Sequence, residues 1–403
     1  MSARGGVGDP RRRELDARIL AWMGERSWKH DEERFDTLAC ELFCFQFDHL
    51  PAYARFSEAR GTTPRTVSHW SEIPAVPSSA FKEKRLHSFD DTLGMKVFRT
   101  SGTSTANRGE LLLDTLALYE ASLLPSLRRF VFPEQDRPLG EESGDEKRMP
   151  LRILANDPDE APDSSLSHMF GVALRKLGDP TSGYDSRDSV LDASSLIDRL
   201  MKLGGVEAAG GEPRPIALLG TSFAFVHLLE GFARSPHADA KCSLPPGSRI
   251  METGGFKGRS REIERDELYR ALEARLGIPE THMVNQYGMT ELGSQFYDSL
   301  LYESQNSTTP GPRRKLGPPW ARVRLIDPES GNEARAGSTG MVVVHDLANT
   351  GSIAALHTAD LGRRVCDTDA YQDDGFEILG RAEGEEARGC GLAVDEMWFE
   401  AQR

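Results

Sequence analysis

His282-Met283-Val284-Asn285-Gln286-Tyr287-Gly288-Met289-Thr290-Glu291-Leu292 begins as a short apolar strand, His282–Asn285, and breaks at Gly288 into a polar turn. Upstream the pattern alternates. Leu151–Ala155, Pro215–Gly220 and Ser248–Met251 have strand character, and helical spacing runs through Ser167–Leu177, Val190–Leu203, Phe223–Ala233 and the amphipathic Arg261–Leu276. Strand–helix alternation predicts an α/β layer with a largely parallel sheet. Tyr287–Glu291 then falls at the carboxyl end of a strand, where open α/β sheets place their ligands.

Outside this region, residues 14–60 carry helical spacing through Leu15, Ile19 and Trp22, then Phe35, Leu38, Leu42 and Phe45. Residues 133–150, rich in Glu, Asp, Gly, Arg and Pro, are expected as an exposed loop. Beyond residue 311, Arg322–Ile326, Met341–His345 and Phe376–Leu379 read as strands separated by turns such as Asp327–Gly331 and Asp373–Gly375. The expected organisation is a disordered tail over 1–13, an α/β core over 14–310, and a β-rich subdomain over 311–403.

Composition narrows the function. With 403 residues, 38% hydrophobic and 28% charged, the chain reads as an ordinary globular protein. A net charge of −14 gives no counterion-release gain on nucleic acid and repels anionic membranes. No apolar run approaches the ~20 residues of a membrane helix, and no signal-type segment opens the chain. Cysteines at 40, 44, 242, 366 and 390 form an odd, sparse set, which argues for a reduced, cytoplasmic setting without disulfides. Cys40 and Cys44 read as one face of a helix rather than as metal ligands.

Four segments carry candidate chemistry. Thr100-Ser101-Gly102-Thr103-Ser104-Thr105-Ala106-Asn107-Arg108-Gly109 lies between strand-like Lys96–Arg99 and Glu110–Leu113. Small residues let backbone amides approach an anion, and hydroxyls add donors; a Ser/Gly hairpin turn is the plainer reading. In Tyr287–Glu291 the ring can stack on a base, the Thr290 hydroxyl can bond a phosphate, and the Glu291 carboxylate can help hold Mg²⁺. A loop with a packed Tyr and a solvated Glu fits the same residues. His357-Thr358-Ala359-Asp360-Leu361-Gly362, followed by Gly380-Arg381, offers a carboxylate for ribose hydroxyls and a guanidinium for sugar or phosphate.

In this order the segments resemble the adenylate-forming enzymes: acyl-CoA synthetases, firefly-type luciferases and peptide-synthetase adenylation domains. Thr100–Gly109 is similar to their phosphate loop, Tyr287–Glu291 to their Tyr-Gly-x-Thr-Glu motif, Asp360 to their ribose-binding Asp, and Gly380-Arg381 to the start of their hinge. Gly254-Gly255 falls where they pass backbone along the adenine. Pro77–Glu83, Leu219–Phe223, Glu252–Gly258 and Arg388–Leu392 resemble one branch, the acyl-protein synthetases, or long-chain-fatty-acid–luciferin-component ligases.

The resemblance implies the N-terminal-domain fold of adenylate-forming enzymes with ATP and Mg²⁺ as cofactors. It also implies a fatty or related carboxylic acid as substrate, with acyl transfer to a cysteine near the C-terminus and on to a partner acyl reductase or other acyl-accepting protein. Thr100, Ser101, Gly102, Thr103, Ser104 and Arg108 would hold phosphates. Thr290 would touch the α-phosphate, Glu291 the metal, Tyr287 and Gly288 with Gly254 and Gly255 the adenine, and Asp360 and Arg381 the ribose. Cys390, flanked by Gly389 and Gly391 and close to Arg388, is the expected acyl acceptor.

Three departures stand out. Arg108 replaces a common Lys, and Ala359 replaces a common Gly. The chain ends at Arg403, so the large mobile C-terminal domain with its catalytic Lys is expected to be absent, leaving Lys257 and Arg108 as candidate cations. Two other classes fit less well: a stand-alone acyl- or aryl-CoA ligase resembling phenylacetate–CoA ligases, and a non-catalytic scaffold.

Overall fold

The structure, a computed structural model, describes residues 5–100, 108–136, 148–204, 214–254, 264–306, 310–365 and 375–382. They fall into two compact units, one formed by Met1–Pro125, Met289–Gln295 and Arg314–Arg403, the other by Ser126–Gly288 and Phe296–Arg313.

The second unit contains the predicted α/β layer. Strands Leu151–Leu154, Ala217–Thr221, Arg249–Thr253 and Met283–Tyr287 run parallel, and Phe296–Asp298 pairs antiparallel to the last. Helices Ala193–Gly204, Ser222–Arg234 and Arg265–Leu276 bury Leu196, Leu200, Phe225, Phe232, Leu268 and Leu272 in one core with Leu218 and Ile250 from the strands. Each such side chain contributes roughly 1.5–3 kcal/mol of burial. Thr221 caps the second of these helices, its hydroxyl accepting from the Ala224 amide at 3.1 Å. Gly277, at φ +68°, ends the third in the left-handed turn that favours glycine.

One expected helix starts later than its spacing suggests. Val190–Leu191 is a strand paired with Ser186–Arg187, and the helix begins at Ala193. Asp188 and Ser189 take left-handed conformations in the hairpin turn, and Asp192 accepts from the Ser195 amide at the helix start.

The first unit differs from the expected division. Its antiparallel strands Ala321–Ile326, Thr339–Asp346, Ala355–Val365 and Gly375–Arg381 match the β-rich reading. Yet they share one body with the N-terminal helices Pro10–Met23, Glu32–His49 and Pro51–Glu58. Val76–Pro77 joins the sheet parallel to Ala355–Val365. The reason is buried polar and aromatic complementarity. Gln46 donates to the Asn349 carbonyl at 2.9 Å, and Trp28 meets Trp320 with ring centroids 5.6 Å apart.

The tail expected over 1–13 is also not a tail from Pro10 onward. Pro10 opens a helix whose cap is Asp9, and Arg12 is buried, bonding Asp16 at 2.9 Å and Asp114 at 3.4 Å. The loop expected over 133–150 is described only at its ends, where Gln135 and Met149 are buried.

His345 lies fully inside this unit, with Nε2 unpartnered and Trp70 edge-on at 5.0 Å. Burial, and secondarily Arg324, holds its imidazole down at about 3. The unfolded chain takes up this proton near the ordinary ~6.5. The stability that goes with the neutral ring is therefore complete above that pH. It falls by ~1.4 kcal/mol per pH unit as pH drops toward the folded value. On going from about pH 7 to about pH 5, His345→Phe should improve on the wild type by about 2 kcal/mol in denaturant titrations. Equal pH slopes in the two proteins would contradict this.

Candidate active site

In the second unit the relevant residues cluster at the carboxyl ends of the parallel strands. Tyr287 ends its strand half-buried, its ring 6.2 Å from that of Phe296, and Gly288 follows. Gly254 closes the neighbouring strand at φ +89°, and a Cβ there would meet no atom of the described residues within 4 Å. This left-handed, glycine-dependent backbone suits close approach by a flat ligand.

Gly254 is held by a cluster to which the sequence assigned no role. Ser222 Oγ donates to Glu252 Oε2 at 2.5 Å and lies 2.8 Å from the Gly254 carbonyl, so its one hydrogen is shared between two acceptors. Tyr269 and Asn285 donate to Glu252 Oε1 at 2.9 Å and 2.6 Å. Glu252 is only 2% exposed, and a carboxylate so buried needs these donors. Four neighbouring segments are thereby locked together: the helix start after the Ala217 strand, the end of the Arg249 strand, the helix Arg265–Leu276 through Tyr269, and the Met283 strand.

In the first unit, Lys96–Arg99 and Glu110–Leu113 form the expected antiparallel hairpin. Its neck is closed by Thr100, which donates its amide to the Gly109 carbonyl and accepts from the Gly109 amide on Oγ1, both at 2.9 Å. Arg108 donates to the Thr100 carbonyl at 2.6 Å and the Arg99 carbonyl at 3.4 Å, so its guanidinium braces the neck. Thr290 is half-buried, and its hydroxyl lies 3.4 Å from the Arg99 carbonyl. The two motifs, far apart in sequence, therefore converge. Glu291 is 6% exposed, and its carbonyl accepts from Asn349 at 2.7 Å.

Asp360 lies inside the strand Ala355–Val365. Register shifts between Met341 and Val343 and between Leu361 and Gly362 flank it. The Thr358 hydroxyl donates to the Val342 carbonyl at 2.8 Å and accepts from the Asp360 amide at 3.1 Å. Such irregularities re-aim a side chain. Asp360 sits opposite Arg381, whose Nε is 3.4 Å from its carboxylate.

Among the described residues no three His, Cys, Asp or Glu side chains gather into a metal site. Glu291 offers a single carboxylate, which suits Mg²⁺, an ion that takes few protein ligands and completes its shell with phosphate and water oxygens. Ser101, Gly102, Thr103, Ser104, Gly255, Lys257, Cys366 and Cys390 lie outside the described residues. No helix among the described residues is long and apolar enough to cross a membrane.

Solved structures share this fold. An open conformation of 2-hydroxyisobutyryl-CoA ligase with 2-HIB-AMP and CoA matches with a TM-score of 0.58 at 15% identity, over 89% of this chain and 77% of that one. The same ligase in a postadenylation state with R3-HIB-AMP gives 0.59 at 16%, over 88% and 69%. Two relatives are named long-chain-fatty-acid–luciferin-component ligase. The one from Aliivibrio fischeri is 22% identical over 382 residues, covering 92% of this chain and 90% of its own length. The one from Vibrio harveyi is 22% identical over 390 residues, covering 94% and 93%. The model of the LuxE acyl-protein synthetase family matches residues 13–398. With that match over nearly its whole length, the chain belongs to the LuxE acyl-protein synthetase family and is an AMP-forming ligase.

Proposed function

We propose that the protein activates a long-chain fatty acid, or a related carboxylic acid, with MgATP and passes the acyl group through Cys390 to an acyl-accepting protein such as an acyl reductase. The observation that carries this reading is the convergence of the hairpin neck at Thr100 and Arg108 with Thr290, at the 3.4 Å contact between Thr290 and the Arg99 carbonyl. The fatty acid and the acceptor come from the names of the relatives.

In the first step a carboxylate oxygen attacks the α-phosphorus, the bond to pyrophosphate breaks, and acyl-AMP forms. In the second a thiolate attacks the acyl carbon, the bond to AMP breaks, and a thioester remains. Little covalent help is needed from the protein in the first step; orientation and charge stabilisation dominate. Ser101, Gly102, Thr103, Ser104 and Arg108 hold the β- and γ-phosphates, with Thr100 closing the loop that carries them. Thr290 bonds the α-phosphate and Glu291 holds Mg²⁺, which when bound offsets developing phosphate charge. Gly254, Gly255, Tyr287 and Gly288 receive the adenine, and Asp360 and Arg381 the ribose. Lys257 supplies charge beside the reacting phosphate.

The test is Mg²⁺-dependent ATP–pyrophosphate exchange with aliphatic acids of increasing chain length, with and without CoA. Exchange that rises with chain length and is indifferent to CoA is the expected result. Folded protein that binds ATP but supports no exchange with any acid would defeat the proposal. CoA-driven AMP release would move the acceptor to CoA.

A further inference from the structure

The connection between strands Thr339–Asp346 and Ala355–Val365 is buried at every residue from Asp346 to Ile353. Surface position is the rule for a loop, because buried backbone must find partners. Here a large share of the polar groups turns toward the segment that follows Glu291. The Asp346 carboxylate accepts from the Ser294 amide and from the Ser294 hydroxyl, both at 2.7 Å, and from the Ala348 amide at 3.0 Å. Asn349 donates through Nδ2 to the Glu291 carbonyl at 2.7 Å and to the Ile353 carbonyl at 3.2 Å. Gly293 packs so closely that an added Cβ would lie 2.7 Å from the Ala348 Cβ.

The network extends in one direction. An indole N–H only donates, so Trp320 gives its hydrogen to Ser122 Oγ at 2.8 Å. Ser122 then donates to Ser294 Oγ at 2.9 Å, and Ser294 to Asp346. Ser122 belongs to Ala117–Phe130, the helix directly after the phosphate-loop hairpin. On the far side, Gln46 donates to the Asn349 carbonyl and accepts from the Ala354 amide at 3.2 Å. The loop leads straight into the strand that carries Asp360. Asp346, Ser294, Gln46 and Asn349 are each at most 3% exposed, so these bonds are shielded from competing water.

We propose that Asp346 and Asn349 are positioning residues that fix the backbone of Glu291 and so set the affinity of the nucleotide-bound metal. This rests on the reading of Glu291 as the Mg²⁺ carboxylate. Neither residue touches metal or substrate: Asn349 acts through the Glu291 carbonyl, and Asp346 through Ser294, three residues further on. Outer-shell partners of this sort typically change metal affinity 10–100-fold when lost.

The test measures Mn²⁺, a paramagnetic substitute for Mg²⁺, by the electron paramagnetic resonance signal of the free ion, with full-length protein saturated with α,β-methylene-ATP. Asn349→Ala should weaken Mn²⁺ binding about 10-fold. Ser294→Ala, which removes one buried hydroxyl and keeps the amide bond to Asp346, should weaken it about 3-fold and serves if Asn349→Ala does not fold. Affinity for the ATP analogue at saturating Mn²⁺ should stay within about 3-fold, a split that general loosening would not give. Ser88→Ala is the control. It removes a buried hydroxyl that bonds the Gly5 carbonyl at 2.7 Å and reaches the Gly351 carbonyl of the same loop at 3.5 Å, but leaves the bonds that tie Asp346 and Asn349 to the Glu291 segment in place, and it should leave Mn²⁺ binding unchanged. Wild-type Mn²⁺ affinity in folded Asn349→Ala or Ser294→Ala, with Glu291→Gln weakened, overturns the positioning role alone. Wild-type affinity in Glu291→Gln overturns the metal reading, and the positioning role with it.

Discussion

Glu291→Gln should lower kcat for pyrophosphate exchange by at least ~100-fold, the range seen when a group stabilising transition-state charge is removed. The substitution keeps shape and removes only the charge proposed to hold Mg²⁺. Thermal stability should change little, because the substitution keeps the side chain's shape and leaves the bond from Asn349 to the Glu291 carbonyl, at 2.7 Å, in place. Raising Mg²⁺ should restore part of the lost rate. Wild-type exchange in Glu291→Gln would reduce the residue to a buried loop carboxylate.

Cys390→Ser should keep pyrophosphate exchange and lose hydroxylamine-sensitive acylation of the protein altogether. The acceptor must be a nucleophilic thiolate. Burial pushes the thiols of Cys40 and Cys242 up to about 11 and raises that of Cys44, so all three are poor nucleophiles near neutrality. Cys390 has the opposite sequence setting, with Arg388 nearby to favour thiolate and glycines on both sides. Intact mass after incubation with ATP and acid decides the matter. One thioester-linked acyl group on Cys390→Ser would move the acceptor elsewhere, with Cys366 the next candidate.

The parallel layer was legible because its strands are short apolar runs separated by amphipathic helices, as at Ala217–Thr221 and Ser222–Arg234. The hairpin around Thr100–Gly109 was legible for the same reason: strand-like residues flank a run of small ones. Three features were not. Asp360 belongs to an 11-residue strand that its polar residues disguise, since register shifts break the alternation a sequence reader relies on. The grouping of the N-terminal helices with the late strands depends on long-range partners such as Gln46 and Asn349, for which local spacing carries no signal. The segment Asp346-Leu347-Ala348-Asn349-Thr350-Gly351-Ser352 has the composition of a surface turn, and only the structure shows it buried beneath the Glu291 loop. The Glu252 cluster had one sequence clue, a carboxylate at the end of an apolar strand, where an unpaired charge would be costly.

Adenylation itself is tested most directly by following oxygen. The acid is supplied with both carboxylate oxygens as ¹⁸O, and the AMP released after acyl transfer is analysed by mass. Attack of the carboxylate on the α-phosphorus leaves one carboxylate oxygen on phosphorus when the acyl carbon is later captured by a thiol. One ¹⁸O in AMP and none in pyrophosphate is the expected result. Unlabelled AMP, or label appearing in inorganic phosphate, would contradict it.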